Sequence, residues 1–183
     1  MNHLDQKLKF LNDKLEQLNR TIEIHLIGAH AIELHGISIG RRTEDIDNIK
    51  IVTDDIIINL IHEIGEKFGE PEWFDFAADS ITLPSGYKSR LKEVSGLKNI
   101  TIKLVSIQDL ICLKVNAYYL RREQGIERDL EDLIKLAPTK EDISKAIGFM
   151  KTECAIDLTS KFQDNYIKEV SDYEKELQKL FKK

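Results

Sequence analysis

Cysteine is scarce in this chain. Cys112 and Cys154 are the only two, far apart and with no Cys-x-x-Cys pair. That spacing excludes a disulfide framework and a cysteine zinc site, and leaves two buried, inert thiols as the expectation. Long apolar runs are missing too, none approaching the length that spans a bilayer, so no membrane association is expected. The opening MNHLDQKLKF lacks the apolar stretch and small-residue cleavage site of a secretory signal, which points to a cytoplasmic location. Positive charge is not in excess. A net charge of -5 and a pI near 5.6 argue against a general DNA-coating role, while leaving room for a local basic groove. Internal repeats and low-complexity segments are absent.

What is present is a globular composition, 42% hydrophobic and 32% charged over 183 residues, enough for one compact domain with a real core. Leu4, Leu8, Leu11, Leu15 and Leu18 recur in steps of four and three, predicting an amphipathic covering helix over 3–19. TIEIHLI (21–27) alternates as a strand does, and Gly28 ends it before the helix-like AHAIELHG. DIDNIKIV reads as the next strand, with its alternation slipping near Asn48. Asp54 or Asp55 caps a helix running to about Gly69. EWFDFAADSITL and NITIKLV read as further strands, Pro84 and Gly86 mark a turn, and after Ser106 the pattern is helical. The fold class is therefore α/β (α+β), a mixed sheet flanked by helices. Residues 1–105 form the core with its covering helix, and 106–183 a helical C-terminal region. The run 87–103 carries five basic residues against one acidic residue and reads first as a solvated face, with a nucleic-acid or phosphate contact as the lesser alternative.

The chemistry concentrates in GAHAIELHGISIGRRTEDID (28–47). Asp45 and Asp47 flank one isoleucine, so a strand turns both carboxylates to the same face, where they repel unless a cation lies between them. A glycine at a strand-to-helix turn lets a phosphate approach the backbone, and the amides beyond it are free to meet an anion. Mg²⁺ takes hard oxygen ligands, commonly one or two carboxylates completed by water and substrate phosphates, so the aspartate pair with a nucleoside triphosphate makes a chemically complete site. Asp-x-Asp alone is a weak signal, as often surface or cap as metal site. A calcium EF-hand loop does not fit DIDNIKIVTDDI, which has isoleucine at the glycine position and no glutamate at the twelfth. His25, His30 and His35, five apart, do not stack on one helical face, so zinc is not expected. For His30, near the expected phosphate turn, a local hydrogen bond is the first expectation and contact with the nucleotide the second; for Trp73 it is core packing.

Gly28, Ala31, Gly36, Arg42, Thr43, Asp45 and Asp47 resemble the signature of the nucleotidyltransferase superfamily, in particular small bacterial members like the AbiE-type (AbiEii-like) toxins and minimal nucleotidyltransferases. DLICLKVNAYYLRR and RDLEDLIKL are similar to that group's later motifs, so the resemblance covers about 22–136. One departure is Ala29, where many members have a second glycine or a serine. The resemblance implies an Mg²⁺- or Mn²⁺-dependent transfer of a nucleotide from an NTP to a hydroxyl of RNA, a protein or a small molecule. It implies a toxin of a toxin–antitoxin or phage-defence pair, with an antitoxin protein as partner. Asp45 and Asp47 would bind metal; Gly28, Ala29, Arg42, Thr43 and Lys114 would hold phosphate; Lys114 and Asp129 would complete the catalytic set. A third metal carboxylate is expected on a neighbouring strand, Asp75 first and Asp79 second.

Independent of that resemblance, Lys114 is the one cation ahead of the terminal Arg121 and Arg122 in a helix apolar nearly all round, and a buried ammonium needs a partner. A substrate phosphate and Asp129 are the two candidates, and a structural pair is as expected as a catalytic role. Ser106 and Asp109 have the spacing of a helix cap. The stripe Phe162, Tyr166, Val170, Tyr173, Leu177 and Leu180 packs on the body or on a second chain. The alternative function is a catalytically silent nucleotidyltransferase-like module that binds a nucleotide or a protein.

Overall fold

The computed structural model describes residues 3–41, 43, 45–76, 81–94, 96–156 and 158–181. Two compact units emerge: 1–34 with 40–81 and 91–105, and 35–39 with 82–90 and 106–183.

The first unit is built on a five-stranded mixed sheet, β1 (Ile22–Leu26), β2 (Ile46–Asn48), β3 (Phe74–Phe76), β4 (Lys92–Val94) and β5 (Ile100–Leu104), in the order β3-β2-β1-β5-β4. β1 runs parallel to β5 and antiparallel to β2, β2 runs parallel to β3, and β4 is antiparallel to β5. The period of two gives the sheet two different faces. Ile22, Ile24, Leu26, Ile46, Ile100 and Leu104 share one face and are all buried. The other carries Glu23, His25, Asp47, Asp75, Glu93 and Lys103, so the aspartates of β2 and β3 stand on the polar face.

Helix α1 (His3–Gln17) packs against α3 (Asp55–Phe68), burying Leu8, Leu11 and Leu15, each worth about 1.5–3 kcal/mol of burial. Asn12 fastens α1 to the sheet by accepting from Asn99 N at 2.9 Å, and Lys7, fully buried, pairs with Glu70. Asp54 is the cap of α3, accepting from Ile56 N at 3.0 Å, and Gly69 ends the helix at φ 71°, a left-handed conformation that costs glycine nothing.

Three strand expectations are corrected. β2 stops at Asn48 instead of running through DIDNIKIV. The Asn48 side chain, fully buried, accepts from the backbone N of His25 and of Lys50, both at 3.0 Å, and so turns the chain out of the ladder. β3 covers only Phe74–Phe76 of EWFDFAADSITL; residues 77–80 lie outside the described residues, and 81–84 are not strand. β4 was not expected at all, because it lies inside the basic run.

The second unit is helical: α4 (Ile107–Arg121), α5 (Arg128–Leu136), α6 (Lys140–Phe149) and α7 (Ser160–Leu180), with one π-helical turn at Met150–Cys154. α4 is buried nearly all round, from Asp109 to Leu113 and at Val115, because α5 and α6 both pack on it. Ser106 caps it, accepting from Asp109 N at 3.2 Å. Asp109 also takes a two-pronged pair from Arg90, Nε to Oδ2 at 2.9 Å and Nη2 to Oδ1 at 2.7 Å, which fastens segment 82–90 to the helix start. Val170, Tyr173 and Leu177 of the predicted stripe are buried, and Tyr173 donates to Val115 O at 3.1 Å. The ends of the stripe, Phe162 and Leu180, are exposed. Burial pushes both thiols up to about 11, although Cys154 is only half-buried. Among the described residues no helix is long and apolar enough to cross a membrane.

Candidate functional site

Gly28 follows β1 directly and opens the seven-residue helix α2 (Gly28–Leu34) with φ 71°. The backbone N of Ile27 donates to Asp47 O at 3.0 Å, which fixes Asp47 beside the turn. The fit is so close that a Cβ on Gly28 would fall 2.8 Å from Asp47 Cγ and nearer still to Oδ2. Two demands therefore select glycine here: a left-handed φ, and a carboxylate occupying the place of the missing side chain.

Asp45 precedes β2 and is exposed, while Asp47 is half-buried. Asp75 stands in register with Asp47 on the adjacent parallel strand. The sheet thus gives Asp47 and Asp75 the expected parity, while Asp45, expected on the same strand face as Asp47, stands outside the strand, which begins at Ile46. Among the described residues, however, no three His, Cys, Asp or Glu side chains converge tightly enough to hold a metal by themselves. Two carboxylates with phosphate and water oxygens are within the habits of Mg²⁺, so an all-oxygen site on this turn fits that ion. Thr43 lies between Asp45 and the glycines, 8% exposed, with a buried hydroxyl that has no hydrogen-bond partner. Arg42 and Asp79 fall outside the described residues.

His30, in the first turn of α2, is not satisfied locally as expected. Its Nδ1 is buried without a hydrogen bond, and the nearest carboxylate oxygen, Glu33 Oε2, is 4.0 Å away. Burial pushes its pKa down, against the pull of Glu33, Asp5 and Asp45. His25 is also pushed down by burial and meets Glu23 at 2.9 Å. Glu23 is the hub of the polar face. Lys103 at 2.6 Å and Lys50 at 2.7 Å hold its carboxyl down to about 2.

In the second unit Lys114 is 15% exposed and reaches two buried aspartates, Asp129 Oδ1 at 3.0 Å and Asp132 Oδ2 at 2.7 Å. Arg121 Nη2 lies 2.9 Å from Asp129 Oδ2, at an angle that makes an ion pair without a hydrogen bond. Two cations therefore face two buried anions. Asp132 was missed by the sequence reading, although its spacing of three from Asp129 puts both on one face of α5. Within the basic run, Arg90, Lys98 and Lys103 are each held by a carboxylate.

A family model described as "Nucleotidyltransferase of unknown function (DUF6036)" matches residues 1–178. No curated protein and no solved structure matches the chain.

Proposed function

We propose that this chain, which belongs to the DUF6036 family of nucleotidyltransferases, is an active, Mg²⁺-dependent enzyme that moves a nucleotide from an NTP to a hydroxyl acceptor. The observation that carries the proposal is the Asp47 carboxylate packed over the side-chain-free face of Gly28. That arrangement supports the reading by putting a carboxylate oxygen, a type of ligand that Mg²⁺ takes, against a glycine turn whose backbone is open to a phosphate.

In this reading Asp45 and Asp47 hold the divalent cation, with Asp75 as the third candidate ligand. When bound, the cation supplies a Lewis acid that neutralises and orients the triphosphate. Gly28 and Ala29 meet phosphate through their backbone, since Ala29 offers no hydroxyl. Thr43 brings a hydroxyl that lacks any other partner, and Arg42 adds a fixed positive charge. An acceptor oxygen then attacks the α-phosphorus in line, the bond to the β-phosphate breaks, and pyrophosphate leaves. Lys114 and Asp129, the remaining candidates for the catalytic set, lie in the second unit, where Asp129 and Asp132 hold the Lys114 ammonium without a substrate. RNA, a protein or a small molecule can provide the hydroxyl, and Mn²⁺ can replace Mg²⁺. The resemblance to AbiE-type proteins supports a toxin in a cytoplasmic toxin–antitoxin or phage-defence pair, with an antitoxin protein as partner.

The matched charges around Lys114 favour a second reading, a silent module that binds nucleotide without turning it over. Incubation with each labelled NTP and Mg²⁺, in the presence of cell RNA and protein, separates the two. Pyrophosphate release with a labelled acceptor supports the enzyme. Nucleotide binding without pyrophosphate supports the silent module.

A further inference from the structure

We infer that His30 is a nucleotide-contacting residue, donating a hydrogen bond from its imidazole to a phosphate oxygen held at the Gly28 turn. The inference rests on the nucleotidyltransferase reading above and turns on a residue whose second sequence expectation, contact with the nucleotide, replaces the first, a local hydrogen bond.

Three observations meet at this ring. It lies two residues beyond Gly28, on the turn that Asp47 abuts. It is 14% exposed, and its Nδ1 is buried with no hydrogen-bond partner, Glu33 Oε2 at 4.0 Å being out of reach. The charges of Glu33, then Asp5, then Asp45 act on the ring against the downward push of its burial.

The buried edge decides which nitrogen can serve a ligand. A neutral imidazole has one donor and one acceptor nitrogen. A proton on Nδ1 would be an orphaned buried N–H, which folded proteins avoid more strictly than an unfilled acceptor. The proton therefore belongs on Nε2, at the edge of the ring away from Nδ1. A donor on the first helical turn after Gly28 suits a phosphate oxygen bound there with a cation. The contact belongs to the side chain: α2 is too short to hold an anion by its own dipole.

Side-chain isosteres test this. The amide nitrogen of glutamine reaches the position of Nε2, and that of asparagine the position of Nδ1. Titration calorimetry compares His30→Gln, His30→Asn and His30→Leu with the wild type. Two probes are used with Mg²⁺: the NTP that the wild type binds best, and inorganic tripolyphosphate. Loss of a hydrogen bond to a charged group should raise Kd about tenfold or more in the Asn and Leu variants, for both probes, while the Gln variant stays within about threefold. The unliganded His30→Gln variant should melt with the wild type, because the ring makes no hydrogen bond there to lose, whereas His30→Asn, whose amide nitrogen would take the buried Nδ1 position, is compared by affinity among its folded molecules.

Equal affinity in all four proteins would overturn the assignment, and so would a loss for the NTP that tripolyphosphate does not share. If the wild type binds no NTP with Mg²⁺, this inference falls together with the reading beneath it. If the wild type binds and Asp47→Ala does not, while the His30 variants bind normally, only the His30 assignment falls.

Discussion

Replacing Lys114 by methionine removes the cation that Asp129 and Asp132 share, at 3.0 and 2.7 Å, and leaves an apolar stem in its channel. Asp129 keeps Arg121, which is nearly half exposed and so screened by water. Asp132 is fully buried and loses the ammonium that lies 2.7 Å from its Oδ2. Removing one member of a buried charge network costs about 3–5 kcal/mol, because the remaining carboxylates stay desolvated. For a chain of this size that is a fall in Tm on the order of 10 °C. Neutralising the anions as well, in Lys114→Met with Asp129→Asn and Asp132→Asn, should restore much of the loss. The assay is thermal melting of the single and triple variants, each with and without Mg²⁺ and nucleotide. A Lys114→Met melt within about 1 kcal/mol of the wild type would refute the argument that the network is a structural charge balance. Weakened nucleotide binding on an unchanged melt would give Lys114 to the substrate instead.

Two further outcomes follow from the first unit. Gly28→Ala must place a Cβ against Asp47 and adopt φ 71°, costing about 1–2 kcal/mol of stability and abolishing Mg²⁺-dependent nucleotide binding, as calorimetry and melting would show. Binding at wild-type strength would mean that the Asp47 carboxylate is not a ligand. Glu23, lowered from 4.5 to about 2 chiefly by Lys103 and then Lys50, lends stability that is complete above pH 4.5 and is lost as the pH falls toward 2. Acid titration of the melting temperature should thus be steeper across that window in the wild type than in Glu23→Gln; coincident curves would remove Glu23 from the account.

Elements with a strong local signal were legible in the sequence. The leucine period gave α1, Asp54 and Gly69 gave the limits of α3, and Ser106 gave the start of α4. The parity that places Asp47 and Asp75 on one face is also a local property, and the sheet realises it. Partners chosen across the fold were not legible. Arg90 lies in a run that looks like solvated surface, yet its guanidinium grips Asp109. Asn48 looked like a slip in a strand, and it ends that strand because its side chain outcompetes the ladder for two backbone amides. β4 has no alternation to show because it is an edge of three residues, held by pairing with β5. Asp132 has the spacing to join Asp129, but only the packing of α5 on α4 brings Lys114 to both.

The central claim is that Asp45 and Asp47 bind a divalent cation together with a nucleoside triphosphate. Calorimetry of the wild type and of the Asp45→Ala, Asp47→Ala double variant, with and without Mg²⁺ or Mn²⁺, tests it most directly. The account predicts that wild-type binding requires the metal, and that the folded double variant no longer responds to it. Binding of equal strength in both proteins, indifferent to metal, would contradict the account and leave the two aspartates as structural groups.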